Sequence, residues 1–67
     1  MVDWYGRVMW DGDEVARVTA NDRSVMLREL RHYAALYQQD AAFINQNIPV
    51  TMQTRSRNRK WKELEAT

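Results

Sequence analysis

The sequence predicts an α+β fold, ββ-α-ββ, in which a four-stranded, largely antiparallel sheet carries one amphipathic helix on one face. Three observations predict it. Asp11-Gly12 is flanked on both sides by aromatic and β-branched residues. Apolar residues then recur at intervals of three and four from Met26 to Ile48. A two-residue alternation returns at Val50, Met52 and Thr54, ahead of the polar stretch Ser56-Arg57-Asn58. Each segment has one face to bury, and a helix laid across an antiparallel sheet is the simplest way to bury them together.

The first two strands are expected near 3–10 and 14–20, joined at Asp11-Gly12, because glycine accepts the positive φ that a hairpin turn demands. Two registers fit. A two-residue turn sets Val8 opposite Val15. A three-residue loop with a bulge brings Ala16 and Val18 onto the face of Val8. The second is preferred because it leaves Arg7 and Arg17 together on the solvent side.

Asn21 and Asp22 can cap a helix by accepting bonds from its first free N–H groups. Beyond them Met26, Leu30, Tyr33, Tyr37, Ala41, Ile44 and Ile48 form an apolar stripe that Leu27 and Ala34 widen. Arg28, Arg31, Ala35 and Gln38 fall on the opposite face. The helix is placed at 22–39, with an extension to about 46 allowed by the pattern. Pro49 disfavours helical geometry at Ile48 and returns the chain to extended structure. The last two strands are expected at 49–55 and 59–64 around the turn, with Trp61 and Leu64 on opposite faces of the second. The final residues of the chain should fray.

Sixty-seven residues make a single domain, 1–67, whose small core needs reinforcement. No cysteine is present, so disulfides are excluded, and His32 alone cannot anchor a structural zinc. No metal or other cofactor is expected. What remains is dense aromatic packing or self-association as a homodimer. Three Trp, three Tyr and Phe43 supply the aromatic area, and Phe43, off the main stripe, is a candidate for contact with a second subunit. The start of the chain lacks the basic and apolar regions of a signal peptide, and no apolar run approaches the ~20 residues of a membrane span. The expectation is a cytoplasmic protein with no membrane partner.

Catalysis is not expected. General acid–base chemistry needs a titratable group held in a pocket beside its reacting partner. His32 lies near Glu29 and Leu36 on one helix flank, an ordinary arrangement for a solvated histidine. Asp11, Asp13 and Glu14 sit in a tight turn without the ligand count of a calcium loop. Gly6 and Gly12 are the only glycines, too few for a phosphate cradle.

Binding is the better reading, and charge shows where. Residues 1–54 carry five basic and seven acidic side chains, whereas residues 55–67 carry five basic and two acidic. Arg55, Arg57, Arg59, Lys60 and Lys62 surround the predicted turn, with Trp61 interleaved among them. Cations release counterions on meeting phosphate, and an aromatic ring can stack on a base. The plain alternative is a solvated turn whose charges protect an edge strand, with Trp61 packed against the helix. A second candidate surface comprises Trp4, Tyr5, Arg7, Trp10 and Arg17 on the first hairpin. Alternation sends Trp4 and Trp10 to one sheet face and Tyr5 to the other, so the rings cannot all be core under one helix. Tyr5 with Arg7 and Arg17 would make the outer face an aromatic–cationic platform.

In its Asp11-Gly12 hairpin, its helix Val25-Met26-Leu27-Arg28-Glu29-Leu30-Arg31-His32-Tyr33-Ala34 and its basic hairpin 55–62, the chain resembles small phage-encoded inhibitors of the anti-CRISPR type. That resemblance implies a non-catalytic protein in the host cytoplasm that binds a host protein or nucleoprotein complex and blocks its engagement of nucleic acid or a subunit. It assigns no site residues. Two other classes stay open: a small protein that binds nucleic acid directly through the basic hairpin, and a structural or assembly component of a virion or larger complex.

Overall fold

At the first turn, Asp11 and Gly12 both take positive φ, 55° and 82°. Such a pair makes a two-residue hairpin loop whose twist matches that of the flanking strands. The loop joins β1 (Trp4–Trp10) to β2 (Asp13–Ala20), with Trp10 facing Asp13. These elements belong to a computed structural model that describes residues 2–43 and 48–64. The loop is therefore two residues long, not three. The bulge lies farther along, where the register shifts between Val8 and Met9: Met9 faces Glu14, Val8 faces Ala16, and Val15 is the extra residue. Arg7 consequently faces Arg17, and Ala16 and Val18 share the side of Val8.

The one helix among the described residues, α1 (Arg23–Phe43), starts where Asp22 caps it. The Ser24 N–H donates to Asp22 Oδ1 at 2.9 Å, the Ser24 hydroxyl donates to the same oxygen at 3.0 Å, and the Met26 N–H donates to the Asp22 carbonyl at 3.1 Å. The side chain thereby satisfies one of the four orphan donors of the first turn, and the carbonyl accepts the first intrahelical bond. The helix buries Met26, Leu30, Ala34 and Ala41, with Leu27 and Tyr37 half-buried beside them. Tyr33 departs from the expected stripe. It is 42% exposed, because the face packed on the sheet is centred on Leu30 and Tyr37 and leaves Tyr33 on the flank. Ile44 lies outside the described residues, and Ile48 lies beyond the helix, ahead of β3.

The sheet is completed by β3 (Val50–Ser56) and β4 (Lys62–Leu64), in the order β2-β1-β3-β4 with every neighbouring pair antiparallel. The helix carries the chain from the edge strand β2 across β1 to its other side. It packs over β1, β2 and β3 and stops short of β4. β4 is shorter than the expected 59–64, because Arg59 still belongs to the turn: its N–H donates to the Ser56 carbonyl at 3.1 Å, and Asn58 takes a φ of 63°. The ladder resumes only at Thr54 opposite Lys62.

Val8, Val18, Met26, Leu30 and Ala34 form the core, with Trp4, Val50, Met52 and Leu64 packed around it. Close approach of helix to sheet depends on Gly6, where an added Cβ would lie 3.0 Å from both Leu30 Cδ2 and Met26 Sδ. The bulge is latched from the helix side, where the Tyr37 hydroxyl donates to the Val15 carbonyl at 2.9 Å.

Three substitutions weigh these contacts in urea denaturation. Leu30→Ala should cost about 2–5 kcal/mol by opening a cavity under the helix. Gly6→Val should cost about 1–3 kcal/mol by forcing Leu30 and Met26 outward. Tyr37→Phe should cost about 0.5–1.5 kcal/mol for the lost hydrogen bond. In a domain of this size the first variant should be substantially unfolded at room temperature.

Candidate binding faces of the basic hairpin

Strand alternation gives the sheet an outer face that the helix does not cover, built from Tyr5, Arg7 and Met9 of β1, Glu14 and Arg17 of β2, and Gln53 and Arg55 of β3. Trp61, just before β4, lies across it. The Arg7 guanidinium carbon stands 4.3 Å from the centre of the Trp61 ring, that of Arg55 at 5.2 Å and that of Arg17 at 5.9 Å. Arg55 also stands 4.2 Å from the ring of Tyr5, its direct partner across the β1–β3 ladder. All four distances lie within the reach of cation–π attraction, about 6 Å. Trp61 is thus half-buried by arginines on the outer face and does not pack against the helix.

Glu14 supplies the anion this cluster needs. Arg17 Nη2 approaches Glu14 Oε1 at 2.8 Å, its Nε lies 3.3 Å from both carboxylate oxygens, and Arg7 Nη1 lies 3.8 Å from Oε1. Arg7 Nε also donates to Gln53 Oε1 at 2.7 Å. The hydrogen bonds from Arg17 hold the Glu14 carboxyl below the usual carboxylate range against the opposing effect of burial, and the charges of Arg17 and then Arg7 add to that lowering. The same hydrogen bonds push Arg17 up.

The sequence grouped Trp4 and Trp10 with this surface, and the structure puts both on the helix side of the sheet. Trp4 is half-buried against the core, with the Arg23 guanidinium carbon 5.8 Å from its ring centre. Trp10 donates its indole N–H to the Ile48 carbonyl at 3.1 Å. The physical reason is the one that alternation implied: even-numbered residues of β1 share the side of Gly6 and Val8, which the helix covers.

The basic hairpin therefore has two faces. Arg55 and Trp61 belong to the outer one. On the helix side, where α1 leaves β4 uncovered, there is a groove of about 630 Å³ lined by Trp4, Arg23, Thr54, Arg55, Ser56, Asn58, Arg59, Lys60 and Lys62. Among the described residues no carboxylate lines it. Among the described residues, Arg23, Arg59, Lys60 and Lys62 have no carboxylate within 4.0 Å. The Arg57 N–H donates to the Asp3 carbonyl at 2.9 Å, which ties the turn to the start of β1.

Nothing in the sequence marks Arg23 as part of a site. At the start of a helix it looks like any solvated cation, and only the crossing of the chain from β2 to β3 sets it opposite residues 54–62. His32 is exposed on the helix with its ring edge-on to Tyr33. Phe43, at the end of the helix, is 90% exposed. Among the described residues no group of three or more His, Cys, Asp or Glu is placed to hold a metal ion, and no helix is long and apolar enough to cross a membrane. Compared with protein-family models, with curated proteins and with solved structures, the chain has no match.

The two capping and bridging carboxylates set an acid limit to stability. Asp22 is also held below its usual range, first by the Ser24 backbone N–H and then by its hydroxyl. A carboxyl whose folded value is depressed stabilises the fold fully above its unfolded value, and that contribution is lost as pH falls through the folded one. Thermal unfolding should therefore be insensitive to these groups from neutral pH down to about pH 5 and weaken below about pH 4. Glu14→Gln and Asp22→Asn should each flatten that acid limb.

Proposed function

We propose that this protein is a non-catalytic binding protein whose basic hairpin engages the phosphate backbone of a nucleic acid. The observation that carries the reading is the separation of charge between the two faces of the hairpin. On the outer face each arginine already has a partner: Arg17 and Arg7 share Glu14, and Arg7 and Arg55 lie on rings. On the helix side Arg59, Lys60 and Lys62, with Arg23 over the Trp4 ring, converge on one groove in which no acid stands among the described residues. Converging cations without counter-charge repel one another, and a polyanion relieves that repulsion while releasing its own counterions.

A second reading keeps the phage-type inhibitor of a host nucleoprotein complex, of the anti-CRISPR kind. The outer face favours it. Tyr5, Arg7, Arg55 and Trp61 form a pre-ordered aromatic–arginine patch, partly neutralised by Glu14, and such residues anchor protein interfaces. In that case the inhibitor would cover the surface on which its target engages nucleic acid or a second subunit.

Fluorescence anisotropy with a labelled oligonucleotide, repeated across a salt series, tests the first reading. Affinity should fall steeply with salt, and Arg59→Ala, Lys60→Ala and Lys62→Ala combined should lower the slope of log affinity against log salt by about 2. Affinity without salt dependence, or untouched by the triple substitution, would count against it. The second reading instead predicts inhibition of a purified CRISPR effector complex that is lost on Tyr5→Ala with Trp61→Ala.

A further inference from the structure

The groove on the helix side of the hairpin is more specific than a basic patch, and from its shape we infer that its ligand is a single-stranded nucleic acid held by Trp4 and Arg23 together with Arg59, Lys60 and Lys62. This rests on the nucleic-acid reading above and deepens it. Two features point to a single strand. The first is concavity. Proteins that read duplexes push a helix or a strand ribbon into the groove of the nucleic acid. Here the cations line a hollow between the start of α1 and the β3–β4 hairpin, and a hollow of about 630 Å³ takes in a chain, not a rod. The second is the aromatic wall. Trp4 is half-buried against the core and lines the groove, so the core holds its ring in place beside the hollow, with Arg23 over it. Single-strand binders combine such a ring, on which an unpaired base can stack, with a cationic track for the backbone.

The polar lining completes the track. Thr54, Ser56 and Asn58 bring hydroxyl and amide groups to the same hollow as the cations. Arg23 sits at the opposite rim, its guanidinium 5.8 Å from the Trp4 ring centre, beside the first turn of α1. A strand threaded between the rims meets cations on both sides and one indole face along its path. The groove exists because the helix spans β1, β2 and β3 and leaves β4 uncovered. Trp61 takes no part, since it lies on the other side of the sheet under Arg7 and Arg55.

The test uses the intact protein and two probes, an oligothymidylate of about 12 nucleotides and a mixed-sequence duplex of the same length. Anisotropy should show the single strand bound at least about tenfold more tightly than the duplex. Tryptophan emission should be quenched on binding, and the quenching should persist in Trp61→Phe and largely disappear in Trp4→Phe. Arg23→Glu, at an exposed position, should weaken single-strand binding by about tenfold while circular dichroism shows the fold unchanged. Equal affinity for both probes, or Arg23→Glu binding as well as the parent while the triple hairpin variant does not, would overturn this inference and leave the nucleic-acid reading standing. Binding of neither probe at low salt would remove both.

Discussion

One extra residue in an edge strand decides which side chains meet on each face of this sheet. In a regular strand Glu14 and Arg17, three apart, would point to opposite sides. Because Val15 is inserted as a bulge, Met9 faces Glu14 while Arg7 faces Arg17, and the carboxylate and both guanidinium groups come to the same side. Two arginines directly opposite each other repel. The bulge resolves that conflict by delivering Glu14 between them. The extra residue of a bulge is left without a ladder partner, and here its carbonyl accepts the Tyr37 hydroxyl, so the irregularity is tied to the helix.

The consequence is a division of labour between the faces. The outer face holds three arginines, and all are engaged: by Glu14, by Gln53, and by the rings of Tyr5 and Trp61. Engaged cations are costly to redirect toward a new anion, because the partner they leave loses its hydrogen bond or its stacked charge. The groove side holds cations set around a half-buried indole and polar groups. A surface becomes a phosphate site through charge that is available, and the bulge is what confines the occupied charge to the other side.

Much of this architecture was legible in the sequence because it depends on local rules. The Asp11-Gly12 turn, the Asp22 cap, the buried run from Met26 to Ala41 and the alternation of β3 each follow from backbone preference or from one element's periodicity. The pairing of Arg7 with Arg17 was also accessible, because an alternative register separates them, although the bulge was expected inside the loop and is found at Val15. Features requiring two distant elements were hidden. The place of Trp61 depends on β4 joining the sheet beyond β3, which sends its ring outward and over Arg7. Arg23 gains meaning only when the chain crosses β1 and brings residues 54–62 back to face the start of the helix. Tyr33 matched the stripe by spacing, but the face the helix buries runs through Met26, Leu30, Ala34 and Ala41 and leaves it on the flank.

The three tryptophans report on three different surfaces: Trp4 on the groove, Trp61 on the outer face, and Trp10 on the bond to the chain ahead of β3. Proton–nitrogen correlation spectra recorded while oligothymidylate is titrated into the labelled protein give each indole N–H its own signal. The Trp4 indole, the Arg23 amide and the amides of residues 56–62 should shift together and saturate together, while the Trp10 and Trp61 indoles stay in place. Shifts centred on the Trp61 indole with Tyr5, Arg7 and Arg17, and a silent Trp4, would contradict it and move the binding surface to the outer face of the sheet.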